Sequence, residues 1–129
     1  MKRARRSGPP LGIVTLTTDF GDADGYVGAL KGAILARFAA ARIIDLAHGI
    51  APRDLAAASE ALARAAPYFP ARSVHVAVVD PGVGTARRGL ALLAGEQLFV
   101  GPDNGIFTGV LAEAGGAVSA HALENPALW

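Results

Sequence analysis

The chain has 129 residues, enough for one domain with a sizeable core. Apolar residues make up 52% and charged residues 18%, which excludes a disordered chain, and a formal net charge of +1 offers no basic field for nucleic acid. No cysteine is present, which removes disulfides and thiolate metal sites, and no apolar run reaches transmembrane length.

Four of the twelve basic residues fall in the first six positions, and Gly8-Pro9-Pro10 follow. Residues 1–10 therefore read as a disordered basic tail and residues 11–129 as one α/β domain. Arg5-Arg6 resemble a twin-arginine signal, but the next apolar run soon meets Asp19, so no signal core forms. The expected location is the cytoplasm, away from membranes.

Residues 12–17 (GIVTLT) are β-branched and apolar and read as a first strand, ending at Thr18-Asp19-Phe20-Gly21. Turn residues Asp22-Ala23-Asp24-Gly25 precede a helix, which Asp22 or Asp24 can cap. Val27, Leu30, Ile34, Leu35 and Phe38 give that helix one apolar stripe, expected to be buried. Residues 42–46 (RIIDL) form a second strand, closed by Ala47-His48-Gly49. Asp54 caps a second helix whose buried face is Leu55, Ala58, Leu62, Ala65 and Phe69. Glu60 and Arg64 pair outside it, and Pro67 and Pro70 end it.

The run 74–79 (VHVAVV) reads as a third strand buried on both faces, stopped by Asp80-Pro81-Gly82. Residues 90–93 and 97–100 form a hairpin across Gly95-Glu96, residues 106–113 a short helix, and residues 118–121 a last strand. The order βαβαβ, hairpin, α, β argues for a largely parallel sheet with flanking helices.

If the first and third strands are parallel neighbours, Asp19 and Asp80 leave the sheet at one edge, where open α/β sheets bind ligands. Two such carboxylates can bind a metal, clasp a ribose diol or position a water. Formal matches elsewhere fail. A calcium loop around Asp22-Ala23-Asp24-Gly25 would need Phe20 and Lys31 as ligands, and Gly82-Val83-Gly84 lacks the third glycine of a dinucleotide loop. His48, His75 and His121 have no metal-ligand spacing, and His75 reads as a satisfied core or edge histidine.

Three segments occur together in this order: TTDFGDADGYVGALKG at 17–32, VVDPGVGTARR at 78–88 and GPDNG at 101–105. The set resembles the S-adenosylmethionine hydroxide adenosyltransferases, or S-adenosylmethionine hydrolases, relatives of the fluorinase and chlorinase, over about residues 11–129. The resemblance implies attack of water, as hydroxide, on the ribose 5′ carbon, releasing adenosine and L-methionine without metal or cofactor. It implies that Asp19 holds the ribose hydroxyls and that Asp80 and Arg87 belong to an Asp-Arg-His set that activates the water. Asp24, Gly25 and Tyr26 would line the methionine end, and Arg53 falls where the halogenases carry a tryptophan over the ligand.

Two departures matter. The fluorinase has a tyrosine where Asp80 stands, which disfavours a halogenase. The family's histidine and its C-terminal β domain would lie beyond Trp129, and in the family's trimer the substrate sits between domains of neighbouring subunits. The resemblance thus leaves two classes open: the N-terminal half of a hydrolase, inactive by itself, or a non-catalytic adenosine-binding or assembly piece.

Overall fold

The computed structural model describes residues 9–81, 88–115 and 117–125. Among them six strands form one sheet: β1 (Ile13–Thr18), β2 (Arg42–Ala47), β3 (Val74–Val78), β4 (Gly89–Ala94), β5 (Gln97–Pro102) and β6 (Val118–Ala122). The helices are α1 (Tyr26–Arg37), α2 (Leu55–Ala65) and α3 (Thr108–Glu113). The strand order is β2-β1-β3-β5-β4-β6. Neighbouring pairs among β2, β1, β3 and β5 are parallel, whereas β4 runs antiparallel to both β5 and β6. The expected α/β class, its largely parallel sheet and its hairpin are all present. The second strand of the hairpin, not the first, lies beside β3.

Residue chemistry accounts for α2 and its place. Asp54 accepts the Ala57 N–H at 3.0 Å, so the helix starts with a capped donor. Pro67 sits in a single 3-10 turn, Ala66–Tyr68, that ends it. Ala58 and Leu62 are buried against Ala77, Val79, Phe99, Ile106, Phe107 and Val110, forming the main core on one face of the sheet. Full burial of a leucine such as Leu62 contributes about 2 kcal/mol. Ser59 Oγ accepts the Gly109 N–H at 2.9 Å, which ties α3 to α2.

Two expectations fail on the opposite face. Right-handed crossovers from β1 to β2 and from β2 to β3 put α1 and α2 on opposite sides of the sheet. Yet α1 buries no residue fully, and Leu35 and Phe38 of its apolar stripe are exposed. Val14 and Leu16 of β1 are buried, and Lys31 ties α1 to Asp45 of β2. Nor is β3 buried on both faces. His75 and Ala77 are buried on the core side, while Val74, Val76 and Val78 are only half-buried. No described helix extends over β3 on that side.

Gly101 on β5 meets a steric demand. A Cβ there would lie inside contact distance of the Ala77 carbonyl and 2.9 Å from the Phe107 ring. Gly101→Ala is therefore expected to destabilise the fold by about 1–3 kcal/mol, as overpacking does. Urea denaturation at constant m-value checks this, and an unchanged midpoint would show that β5 can move away at no cost.

Candidate active site

The parallel register sets the site. Thr18 on β1 pairs with Val78 on β3, so Asp19 and Asp80 leave adjacent strands at the same end. Both are half-buried. This is the carboxyl edge of the parallel strands, and the β1–α1, β2–α2 and β5–α3 loops lie beside it.

Asp19 is not a helix cap. Its Oδ2 accepts the backbone N–H of Arg53 at 2.8 Å, from the loop between β2 and α2. Arg53 reaches it in a left-handed conformation, φ 64°, costly for a residue with a Cβ and kept here by the surrounding loop. The sequence placed Arg53 near the ligand by resemblance alone. The structure joins its backbone to Asp19 and leaves its side chain exposed.

Asp24 Oδ1 accepts the Tyr26 N–H at 3.2 Å, and Gly25 at φ 82° is the N-cap of α1 without a side-chain bond of its own. The positive φ suits a glycine. Tyr26 is exposed and meets Phe20 edge-to-face at 6.1 Å between ring centroids. Asp24 and Gly25 share the β1–α1 loop with Asp19, and Tyr26 opens α1. Arg87 lies outside the described residues. Arg88 precedes β4, and its carbonyl accepts the Asp103 N–H at 2.7 Å.

Two groups of residues beside the site had no role assigned from sequence. Asn104 donates from Nδ2 to the Val79 carbonyl at 2.9 Å and accepts the Ile106 N–H at 3.1 Å. It thus fixes the backbone just before Asp80, and the GPDNG segment was its signal.

The other group is a polar row on the α1 side. The Thr18 hydroxyl lies 2.7 Å from His48 Nδ1, and His48 Nε2 lies 2.8 Å from Asp45 Oδ1. Lys31 Nζ of α1 is 2.8 Å from Asp45 Oδ2. Thr18 is fully buried, whereas Asp45 is open to solvent. The sequence signal was the Asp45-x-x-His48 spacing at the end of β2. With Gly21 and Gly25, the outer three side chains line a cleft of about 540 Å³. The His48 imidazole, then the Lys31 ammonium, hold the Asp45 carboxyl below its ordinary 3.8. A depressed acid stabilises the fold above that value, and the contribution is lost as pH falls below it.

His75 is a core residue, as expected. Its Nδ1 bonds to Thr15 Oγ1 at 2.6 Å, but Nε2 has no partner among the described residues, so it is satisfied on one side only. Among the described residues no group of three or more His, Asp or Glu is arranged to hold a metal, and no helix is long and apolar enough to cross a membrane.

The family model of the SAM hydroxide adenosyltransferase N-terminal domain matches residues 14–128. The (R)-S-adenosyl-L-methionine hydrolase of Salinispora arenicola is 52% identical over 114 residues, covering 88% of this chain and 43% of that protein. A fluorinase from an Actinoplanes species is 24% identical over 136 residues, covering 88% of the chain and 45% of the fluorinase. The crystal structure of an uncharacterized conserved protein from Thermotoga maritima superposes with a TM-score of 0.82 at 40% identity. That match covers 88% of this chain and 43% of the Thermotoga chain. The chain thus spans less than half the length of these relatives.

Proposed function

The chain belongs to the SAM hydroxide adenosyltransferase family, through its N-terminal domain, and on that premise we propose that it forms one wall of an S-adenosylmethionine hydrolase site. The observation that carries the reading is the shared edge of Asp19 and Asp80, set by the Thr18–Val78 pairing. Asp19, oriented by the Arg53 N–H, accepts hydrogen bonds from the ribose hydroxyls. Asp24, Gly25 and Tyr26, at the start of α1, face the methionine end. Asp80, with Arg87, orients a water for in-line attack on the 5′ carbon.

The new bond is between the water oxygen and C5′. The C5′–S bond breaks, and sulfur keeps its electron pair as the neutral thioether of L-methionine. The water's proton passes by way of Asp80 to solvent. A sulfonium is already a good leaving group, so the reaction as proposed needs no metal or cofactor. Positioning the nucleophile can supply several kcal/mol of the barrier reduction. The opposite wall comes from a neighbouring subunit of a homotrimer in the complete protein, which we place in the cytoplasm.

The alternative, an adenosine-binding or assembly piece without turnover, uses the same residues and differs only in whether the completed site turns over. To separate them, this chain is assayed alone and as a chimera with the remaining length of that relative, following adenosine and methionine by chromatography. The chain alone is expected to release no adenosine, because its half-site is open to bulk water and screens its own charges. The chimera is expected to release adenosine and methionine in equal amounts, at a rate unchanged by EDTA. A folded trimeric chimera without turnover would favour the alternative. Halide-dependent formation of a 5′-halogenated nucleoside would replace the hydrolase by a halogenase.

A further inference from the structure

Three hydrogen bonds pin the short loop that carries Asp19. The Phe20 N–H donates to Thr18 Oγ1 at 3.1 Å, the Gly21 N–H donates to the His48 carbonyl at 2.9 Å, and Asp19 itself takes the Arg53 N–H. His48 takes part twice, once through its carbonyl and once through the ring that meets Thr18. Asp19 lies just past the end of β1, where its carboxylate meets the Arg53 N–H. Asp45 pairs with Leu16, so it shares a side with Thr18, toward α1, while Asp19 faces the β2–α2 loop. His48 thus holds the loop through Thr18 and Gly21, while Arg53 meets the Asp19 carboxylate.

The protons can be ordered along the row. The Asp45 carboxylate can only accept, so it takes the His48 Nε2–H, which leaves Nδ1 of a neutral ring as an acceptor. Nδ1 then takes the Thr18 O–H, and Thr18 Oγ1 remains an acceptor for the Phe20 N–H. Thr18 and His48 each donate once and accept once in a single direction, and Asp45 ends the row as an acceptor. Lys31 meets the second oxygen of Asp45 and thereby ties the row to α1.

We propose that Asp45, His48 and Thr18 form a positioning relay, anchored by Lys31, that fixes the Asp19 loop and so sets how well the site holds a ribose diol. The ribose part of this inference rests on the hydrolase reading. None of the three residues touches the reacting atoms. Their effect reaches the ligand through the direction of one carboxylate, and small displacements of such a group can cost about a hundredfold.

The test uses this chain as it stands, in wild-type, His48→Ala, His48→Asn and Thr18→Val forms. Asparagine keeps an acceptor near the Nδ1 position, and valine removes only the hydroxyl. Two readouts are compared: amide hydrogen exchange at Phe20, Gly21 and Arg53, and adenosine affinity from an NMR titration. His48→Ala and Thr18→Val are expected to speed exchange at Phe20 and Arg53 at least tenfold. Exchange in β3 and the urea midpoint should change little, and adenosine affinity should weaken about tenfold or more. His48→Asn should restore most of both.

If either soluble variant leaves exchange at Phe20 and Arg53 unchanged, the relay is overturned. A loss that Asn fails to rescue, or that spreads evenly through the sheet, reduces the row to ordinary stabilisation and also overturns it. Should His48→Ala fail to fold, Thr18→Val alone decides. Asp19→Ala separates this inference from the reading beneath it. If that variant binds adenosine as wild type does, the ribose role of Asp19 fails, while the exchange data still decide whether the relay holds the loop.

Discussion

Asp80→Ala, made in the turnover-competent chimera, is expected to lower turnover about 10²- to 10⁴-fold, the range attributed to one positioned acid or base. Adenosine affinity should change little. Asp80 lies just beyond the last paired residues of β1 and β3, with Val79 behind it held through its carbonyl by Asn104. The backbone leading into it is therefore fixed, and it can act on a nucleophile without carrying the ribose. Asp19→Ala should give the opposite pattern, a weakened KM and adenosine affinity with a smaller change in kcat. Asp80→Asn tests charge at constant shape, since an amide can orient a water but cannot accept its proton at neutral pH. Near-wild-type turnover in Asp80→Asn would remove Asp80 as the base and reduce it to a steric post.

The strands and the two longer helices were legible because each depends on local chemistry, whereas the edge shared by Asp19 and Asp80 followed only on the condition that β1 and β3 are parallel neighbours. β-Branched runs, prolines, a capping aspartate and glycine turns act within a few residues of themselves. Asp54 capping α2 and Pro67 ending it are of this kind. Burial was less legible, because periodicity tells which residues share a side and says nothing of what covers it. The stripe on α1 and the valines of β3 have the right spacing, but they are only half-covered or exposed.

Nor could the sequence show which hairpin strand joins β3, since both are apolar and of similar length. The row from Thr18 to Lys31 was invisible for another reason. Its members come from β1, α1, β2 and the following loop, and they meet only once the strand register is known. The backbone contact from Arg53 to Asp19 depends on a left-handed residue that no pattern of side chains announces.

The core histidine makes stability depend on pH in a defined direction. Burial pushes the His75 imidazole from 6.5 down to about 4. Its ring is stacked on Phe99 at 5.0 Å and meets Phe69 edge-on at 5.5 Å, and the Gln97 side chain offsets the effect of burial only in part. The unfolded chain binds a proton at this residue once pH falls below 6.5, and the folded chain does so only near 4. Between those values the unfolded state holds more protons, so stability rises with pH there and is fully present above 6.5. Acidification across that window is expected to remove about 3 kcal/mol, at 1.36 kcal/mol per pKa unit. Urea denaturation from pH 7 to 4.5 reads the slope. In His75→Phe the Thr15 hydroxyl loses its partner, so absolute stability will also shift. The discriminating quantity is therefore the slope, which should flatten by most of one proton between pH 5 and 6. An identical slope in the two proteins would mean that His75 takes up its proton in the folded state as readily as in the unfolded one.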